Sequence, residues 1–546
     1  MKSILGALFV VLLLSITLML GLDIFFFRPP DSSDQSSSQE MLKHLQDKAF
    51  FDEKEKKENE LPGALAEQIP PKESRQDAPK SLAYRNPGDE NRFRFFSLLL
   101  ALLGMPLFSA IGSIALFLTE NASSIFIDVV DKLTAHTLFI PLPLFTFAGY
   151  VLSQTCAPER LVRFSRALIG WLPGGTALIA AISCAFFTAF TGASGVTIIA
   201  LGGLLYPILI KEQYGEKFTL GMITTGGTLG LLFPPSLPVI LYGVIASTSM
   251  QGMGNNSGME IKDLFLAGLI PGTLMILIIA FYGMWIGVHH KEEKPAFSWK
   301  ELGQSTLKAL PELLTPLIVI LGYFGGYIQL TESAAYTALY VILVEIFLYK
   351  EIHLKNAVEI AKKSMVLIGA ILIILMMAMA LTNLLIMAKV PDQILSYMKQ
   401  HVTSPMTFLF LLNIFLLIVG CLMDIFSAIL VVVPLIVPIA LAFQIDPVHL
   451  GIVFLTNLGI GYMTPPVGMN LFITSLRFKK SLFGVAYTCV PFLLLSLCVL
   501  ALITYIPAIS LYPVKHPWVI WAFFVGVVLV LILCSFFFNK KRSGME

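Results

Sequence analysis

The chain has 546 residues, 56% of them hydrophobic and 13% charged, with a net charge of +2 and a mean hydropathy of +0.81. A soluble domain has no interior large enough for that much apolar surface, so the composition specifies a polytopic membrane protein. The near-balanced charge excludes a nucleic-acid partner, which needs a concentrated basic face.

In chain order, "ILGALFVVLLLSITLMLGLDIFFF" (4–27) is long enough to span lipid. It has no small-residue cleavage site, so 1–27 reads as an uncleaved signal-anchor helix. "RPPDSSDQSSSQE" then opens a polar linker, 28–94, whose "DEKEKKENE" stretch is solvated. Apolar segments follow at about 95–118, 137–155, 176–211, 218–251, 263–288 and 313–330, then at 333–350, 364–387, 406–443, 448–476 and 483–512. A last one, 517–538, lies in an additional C-terminal region (514–546), and its "NKKR" end is placed in the cytoplasm by the positive-inside rule. Several segments exceed a single span and carry Gly or Pro near the middle, which marks hairpins or interrupted helices.

The chemistry-bearing residues are few. Six cysteines lie in or beside apolar runs with no CxxC spacing and read as free thiols; the eight histidines form no metal-binding pair. There is no GxxxxGK[ST] loop for ATP and no set of residues for covalent catalysis, so the chain is not read as an enzyme.

The strongest signal is an internal repeat. Pro207 precedes the diproline at Pro234 by 27 residues, and Pro438 precedes the diproline at Pro465 by the same 27. Upstream of each first proline lies a polar interruption, "TGASGVT" (191–197) and "MDIFSA" (423–428). Each half therefore reads as polar break, apolar helix, proline, apolar helix, glycine-rich diproline break and apolar helix. Backbone groups freed by a break cannot face lipid, so such breaks line an enclosed cavity. Paired interruptions in two halves point to a transporter's binding site, where helix-end carbonyls hold a cation and helix N-termini hold an anion.

"GTLGLLFPPSLPVILYG" (227–243) and "NLGIGYMTPPVGMNLF" (457–472) resemble the two unwound-helix motifs of the large membrane (M) subunit of TRAP transporters, the tripartite ATP-independent periplasmic transporters. "LLALLGMPLFSAIG" (99–112), "PLFTFAGYVL" (143–152), "QLTESAAYTALY" (329–340) and "ITYIPAISLY" (503–512) extend the resemblance over about 95–513, with repeats around 176–251 and 406–476. The resemblance implies an all-α, inverted-repeat, elevator-type fold with two re-entrant hairpins and two interrupted helices. It implies a multi-pass protein of the bacterial inner membrane that takes up an organic acid anion, such as a C4-dicarboxylate or a sialic-acid-like carboxylate, by sodium symport. The implied partners are a periplasmic solute-binding protein and a small membrane subunit that is not fused here; sodium is the coupling ion and no other cofactor is implied. Carried over by position, one sodium site draws on Gly192, Ser194, Gly230 and Ser236, and the other on Asp424, Gly461 and Thr464. The substrate carboxylate lies near Thr191, Ser194, Thr464 and Asn470. Ala193 stands where the family often has serine, and Ile425 and Phe426 follow the aspartate where it has small hydroxyl residues.

Each of these residues also has a structural reading. Asp424, an acid deep in an apolar run, needs a partner or a cation, and it can also cap a helix starting near Ser427. Ser194 and Thr197 can bond back to their own helix. Thr464 precedes a proline, which pushes it out of the helical region and frees its hydroxyl and carbonyl. Asn470 either binds substrate or stitches helices together. Thr331 and Glu332 read as the cap and first turn of a helix, and "MMAMA" (376–380) reads as packing. Two rivals are a symporter of similar architecture that needs no binding protein, which would show the same breaks, and a channel, which would need a continuous pore. A membrane-embedded enzyme would need an acid partner for Asp424.

Overall fold

Glycine and proline decide where these helices stop, and they stop in the same order twice. The computed structural model describes residues 140–526, apart from 173, 253–258, 290–296, 388–395, 397–401 and 403, together with residues 109, 112, 127, 129 and 130. The signal-anchor, the linker and most of the segments at 95–118 and 517–538 lie outside the described residues. What is described is all-helical, and eight of its helices are long and apolar enough to cross a membrane.

Helix α1 (Pro141–Ser153) and α2 (Ala157–Ile169) lead into the first repeat. There α3 (Gly175–Thr191) and α4 (Ser194–Lys211) form a hairpin. Gly192 closes α3 at φ +63°, a conformation open to glycine, and extended Ala193 starts the return. Next come α5 (Glu216–Gly226), a break over 227–236 and α6 (Leu237–Gly252). After α7 (Ile261–His289) follow α8 (Trp299–Val319), α9 (Leu330–Leu343) and α10 (Leu354–Met387). Helices α8 and α9 each run on into a π-helical turn, Ile320–Phe324 and Val344–Leu348.

The second repeat restates the first. Helices α11 (Pro405–Leu422) and α12 (Ile425–Ala442) form a hairpin that turns at Met423 and Asp424. Helix α13 (Pro447–Gly461), a break over 462–468 and α14 (Met469–Phe478) form the interrupted helix, and α15 (Leu482–Tyr505) and α16 (Ala508–Lys515) follow. Pro207 and Pro438 both lie inside the returning arms, and each diproline sits in its break, joined by a cis peptide bond.

The repeats interleave. The returning arm α4 packs on α14, and the returning arm α12 packs on α6, so each hairpin lies against the far half of the other repeat's broken helix. The helices that follow the breaks exchange in the same way: α15 packs on α5, and α7 packs on α13. The centre of this unit is densely packed; in α13 every residue from Val448 to Gly461 is buried. Helices α8–α10 instead present exposed Leu307, Leu321, Leu339 and Val366, the surface that lipid or another apolar partner covers.

Two boundaries differ from the sequence reading. The segment at 313–330 belongs to a helix that begins at Trp299, because Ser298 caps it through the Glu301 amide and Pro311 and Pro316 are tolerated inside it. Polar residues in its first turns hid that start. The helix at 330 is capped by Gln329, not Thr331: the Gln329 side chain and Glu332 form a reciprocal capping box. Asp424 caps α12 as its structural reading expects, and the helix begins at Ile425, two residues before Ser427.

Candidate functional site

The first hairpin turn reaches the helix after the second break through a side-chain bond that spans the repeats, and the second turn packs on the break of its own repeat. Ser194, first residue of α4, donates its hydroxyl to Asn470 Oδ1 at 2.7 Å. The Asn470 amide donates to the Thr224 carbonyl at 3.1 Å, and the Asn470 backbone N–H donates to the Tyr462 carbonyl at 3.1 Å. One asparagine thus ties the tip of the first hairpin, the end of α5 and the second break. Close by, the Thr188 and Thr197 hydroxyls bond each other at 2.8 Å across the hairpin, and Thr224 reaches Thr474 at 3.0 Å. Ser194 and Thr197 therefore use their hydroxyls across helices rather than on their own carbonyls.

Glycines permit this approach. A Cβ on Gly227 would lie 2.9 Å from the Ser194 carbonyl oxygen, and one on Gly230 would strike the Ala185 carbonyl and come within 2.6 Å of the Ala189 nitrogen. The first break therefore lies directly on α3. Gly192 faces Leu237, the residue after Ser236, with its missing Cβ 2.7 Å from that side chain. Ser236 itself gives its hydroxyl to the Leu231 carbonyl, closing the turn that holds the diproline. Thr191, fully buried, directs its hydroxyl towards the Ala193 carbonyl at 3.4 Å.

The second tip is built alike. Gly461 packs on Gly420, with its missing Cβ 2.7 Å from the Gly420 backbone, and the Gly468 amide donates to the Cys421 carbonyl at 3.0 Å. The Ile425 amide donates to the buried Tyr462 hydroxyl. Asp424 Oδ1 accepts from the Phe426 and Ser427 amides, both at 3.0 Å, and Oδ2 accepts from the Ser427 hydroxyl. The carboxylate thus sits at a helix N-terminus, where the dipole favours it, and it is half-buried. Thr464 is not left with an idle hydroxyl: it donates back to the Ile460 carbonyl at 3.0 Å. Of the expected residues the structure joins Ser194 to Asn470 directly, and it sets Gly192, Gly230, Ser236, Asp424, Gly461 and Thr464 at the two turns and breaks. Ser236, Thr464 and Ser427 give their hydroxyl protons to Leu231, Ile460 and Asp424, which leaves their oxygens as acceptors.

Sequence reasoning missed Thr188, Thr224, Gly227, Tyr462 and Thr474, whose roles depend on which helices meet. It also missed a charged cluster outside this site, in which Arg160 faces Glu312, Glu345 and Glu351. Glu345 in "LVEIF" carried the same signal as Asp424, an acid inside an apolar run.

Two hairpins that turn back on themselves and two helices broken at diprolines, repeated and interleaved, define an inverted-repeat membrane transporter. A crystal structure of the YdaH transporter of Alcanivorax borkumensis, described as having an unusual topology, shares this fold at a TM-score of 0.52, 13% identity, and coverage of 77% of this chain and 98% of that one. The family model for "Tripartite ATP-independent periplasmic transporter, DctM component" matches residues 94–509, and the chain belongs to that family. It is 33% identical to the C4-dicarboxylate TRAP transporter large permease protein DctM of Pseudomonas aeruginosa, over 73% of this chain and 91% of that protein. It is 30% identical to the isethionate TRAP transporter permease protein DctMQ of Oleidesulfovibrio alaskensis, over 77% of this chain and 65% of that longer protein. The chain is accordingly a large permease component of a TRAP transporter, a multi-pass inner-membrane protein and not an enzyme.

Proposed function

We propose that this permease takes up an organic acid anion by sodium symport, receiving it from a periplasmic binding protein and working with a small membrane subunit. The observation that carries the reading is the Ser194–Asn470–Thr224 bridge, which joins one hairpin tip to both interrupted helices. A ligand held at that junction contacts elements of both repeats at once. One sodium ion is assigned to Gly192, Ser194, Gly230 and Ser236, and a second to Asp424, Gly461 and Thr464. Because Ser236 and Thr464 already donate to Leu231 and Ile460, their oxygens remain open to a cation as acceptors. The anion is assigned to Thr191, Ser194, Thr464 and Asn470. Relatives that carry C4-dicarboxylates and isethionate make an acidic anion the substrate class to test first.

The interleaved packing supports an elevator movement: hairpins and broken helices hold each other in one body, and α8–α10 supply a scaffold for it to slide on. The test is uptake into proteoliposomes containing this chain, the small subunit and a loaded binding protein. Uptake should follow an inward sodium gradient and cease without it; equal uptake in the two conditions removes sodium coupling, and uptake without the binding protein removes its delivery role.

A further inference from the structure

We propose that the cluster around Arg160 is a proton-binding site, with the proton resident on Glu345. Arg160, on α2, meets Glu312 of α8 through Nε, Glu351 through Nη1 and Glu345, in the π-helical turn after α9, through Nη2 at 3.1 Å. Its guanidinium also lies 3.7 Å from the centre of the Tyr349 ring. One positive charge therefore faces three carboxyl groups, two of them with side chains only 1% exposed. Carboxylates left unbalanced in such surroundings lose hydration that the protein does not replace, and the cheapest relief is neutralisation.

The hydrogen bonds indicate which acid takes the proton. Glu351 Oε1 meets Arg160, and its Oε2 accepts from the Cys156 amide at 2.7 Å. Glu312 Oε1 meets Arg160, and its Oε2 lies 3.1 Å from the Tyr349 hydroxyl, which it shares with the Lys308 carbonyl at 2.6 Å. Glu345 differs. Its Oε1 accepts from Arg160 and from the Thr155 hydroxyl at 3.3 Å, while its Oε2 is buried with no hydrogen-bond partner among the described residues. An anionic oxygen there would be bare, whereas a protonated one carries no charge to solvate. A metal ion is a poorer fit, since no group of three acidic, histidine or cysteine side chains among the described residues is arranged to hold one.

The groups facing Glu345 are Arg160 and Thr155 from the α1–α2 side, Glu312 from α8, and Tyr349 and Glu351 beyond its own turn. Helix α1, packed on α9, brings Tyr150 as its one titratable residue. None of these supplies a second cation. The site joins α2, which packs on the first hairpin through α3, to α8 and the end of α9.

The test uses the full chain in lipid nanodiscs. Infrared spectra at neutral pH should show a protonated-carboxyl band that is lost in Glu345→Gln. Glutamine is nearly isosteric with the neutral acid and needs no proton to fold, so this variant should fold with a Tm at neutral pH equal to or above that of wild type. A carboxyl protonated in the folded chain and ionised in the unfolded chain makes folding bind a proton, so stability falls as pH rises. The wild-type Tm should therefore decline relative to Glu345→Gln as pH rises above the range in which an exposed glutamate ionises, and the two should converge below that range. An unchanged carboxyl band would overturn the proposal. So would a Glu345→Gln variant that is unfolded or less stable at neutral pH, because an anion would then be what the site requires.

Discussion

The Ser194 hydroxyl and the Asn470 side-chain oxygen meet at 2.7 Å although 276 positions separate them in the chain. This bond closes the first hairpin onto the second interrupted helix, and both groups are buried. Ser194→Ala leaves the Asn470 oxygen without that donor and should cost about 1–3 kcal/mol of stability. Asn470→Ala also orphans the Thr224 carbonyl and should cost more. If the junction holds ligand, uptake in both variants should fall well beyond what the loss of folded protein explains. Thermal unfolding and uptake normalised to folded protein separate the two effects; normal uptake per folded molecule would make the bond purely structural.

The glycines at the breaks give a second prediction, because their neighbours are backbone atoms that cannot swing away. Gly461→Ala brings a methyl group within 2.7 Å of the Gly420 backbone and should cost about 1–3 kcal/mol. Gly230→Ala meets the Ala185 carbonyl and should cost at least as much. Gly303, inside α8 with open space around it, is the internal control: Gly303→Ala should stabilise the helix by up to about 1 kcal/mol. Tm values measured side by side in the same detergent decide this, and equal shifts at all three positions would contradict it.

The hairpin turns and diproline breaks were legible in the sequence because glycine and proline act on their own backbone. Gly192 and Pro207 carry their meaning within a few residues. Asn470 does not: its choice between gripping substrate and stitching helices depends on Ser194 and Thr224, which arrive only when the repeats interleave. Thr464 was read from the proline beside it, which bears on its backbone but not on where its hydroxyl turns. The start of α8 was hidden because Lys300 and Glu301 gave its first turn a soluble character, although Ser298 three residues before Glu301 is a capping pattern. Arg160 had no visible partner because its three acids lie more than 150 positions away.

Arg160 offers a third prediction. Its planar fork reaches three carboxyl groups in three directions, and a lysine ammonium on a single stem cannot reproduce that geometry. Arg160→Lys should therefore destabilise the chain despite keeping the charge, and Arg160→Gln, which leaves the acids with no cation, should cost about 3–5 kcal/mol. Thermal unfolding at neutral pH tests both. Wild-type stability in the lysine variant would mean that charge alone matters at this site.

Asp424 serves a helix that begins beside it, and the same carboxylate is assigned to sodium, so the two roles must be separated by choice of substitution. Asparagine keeps an oxygen that can accept from the Phe426 and Ser427 amides, and asparagine and aspartate are comparable caps. Asp424→Asn should hold its Tm close to wild type, whereas Asp424→Ala, which removes the cap, should lose about 1–2 kcal/mol. The negative charge is gone in both. If Asp424 draws sodium into the second site, both variants should need a higher sodium concentration for half-maximal uptake, and the asparagine variant should show that rise without loss of stability. A sodium dependence in Asp424→Asn that overlays the wild type would leave Asp424 as a cap alone and move the second ion away from this turn.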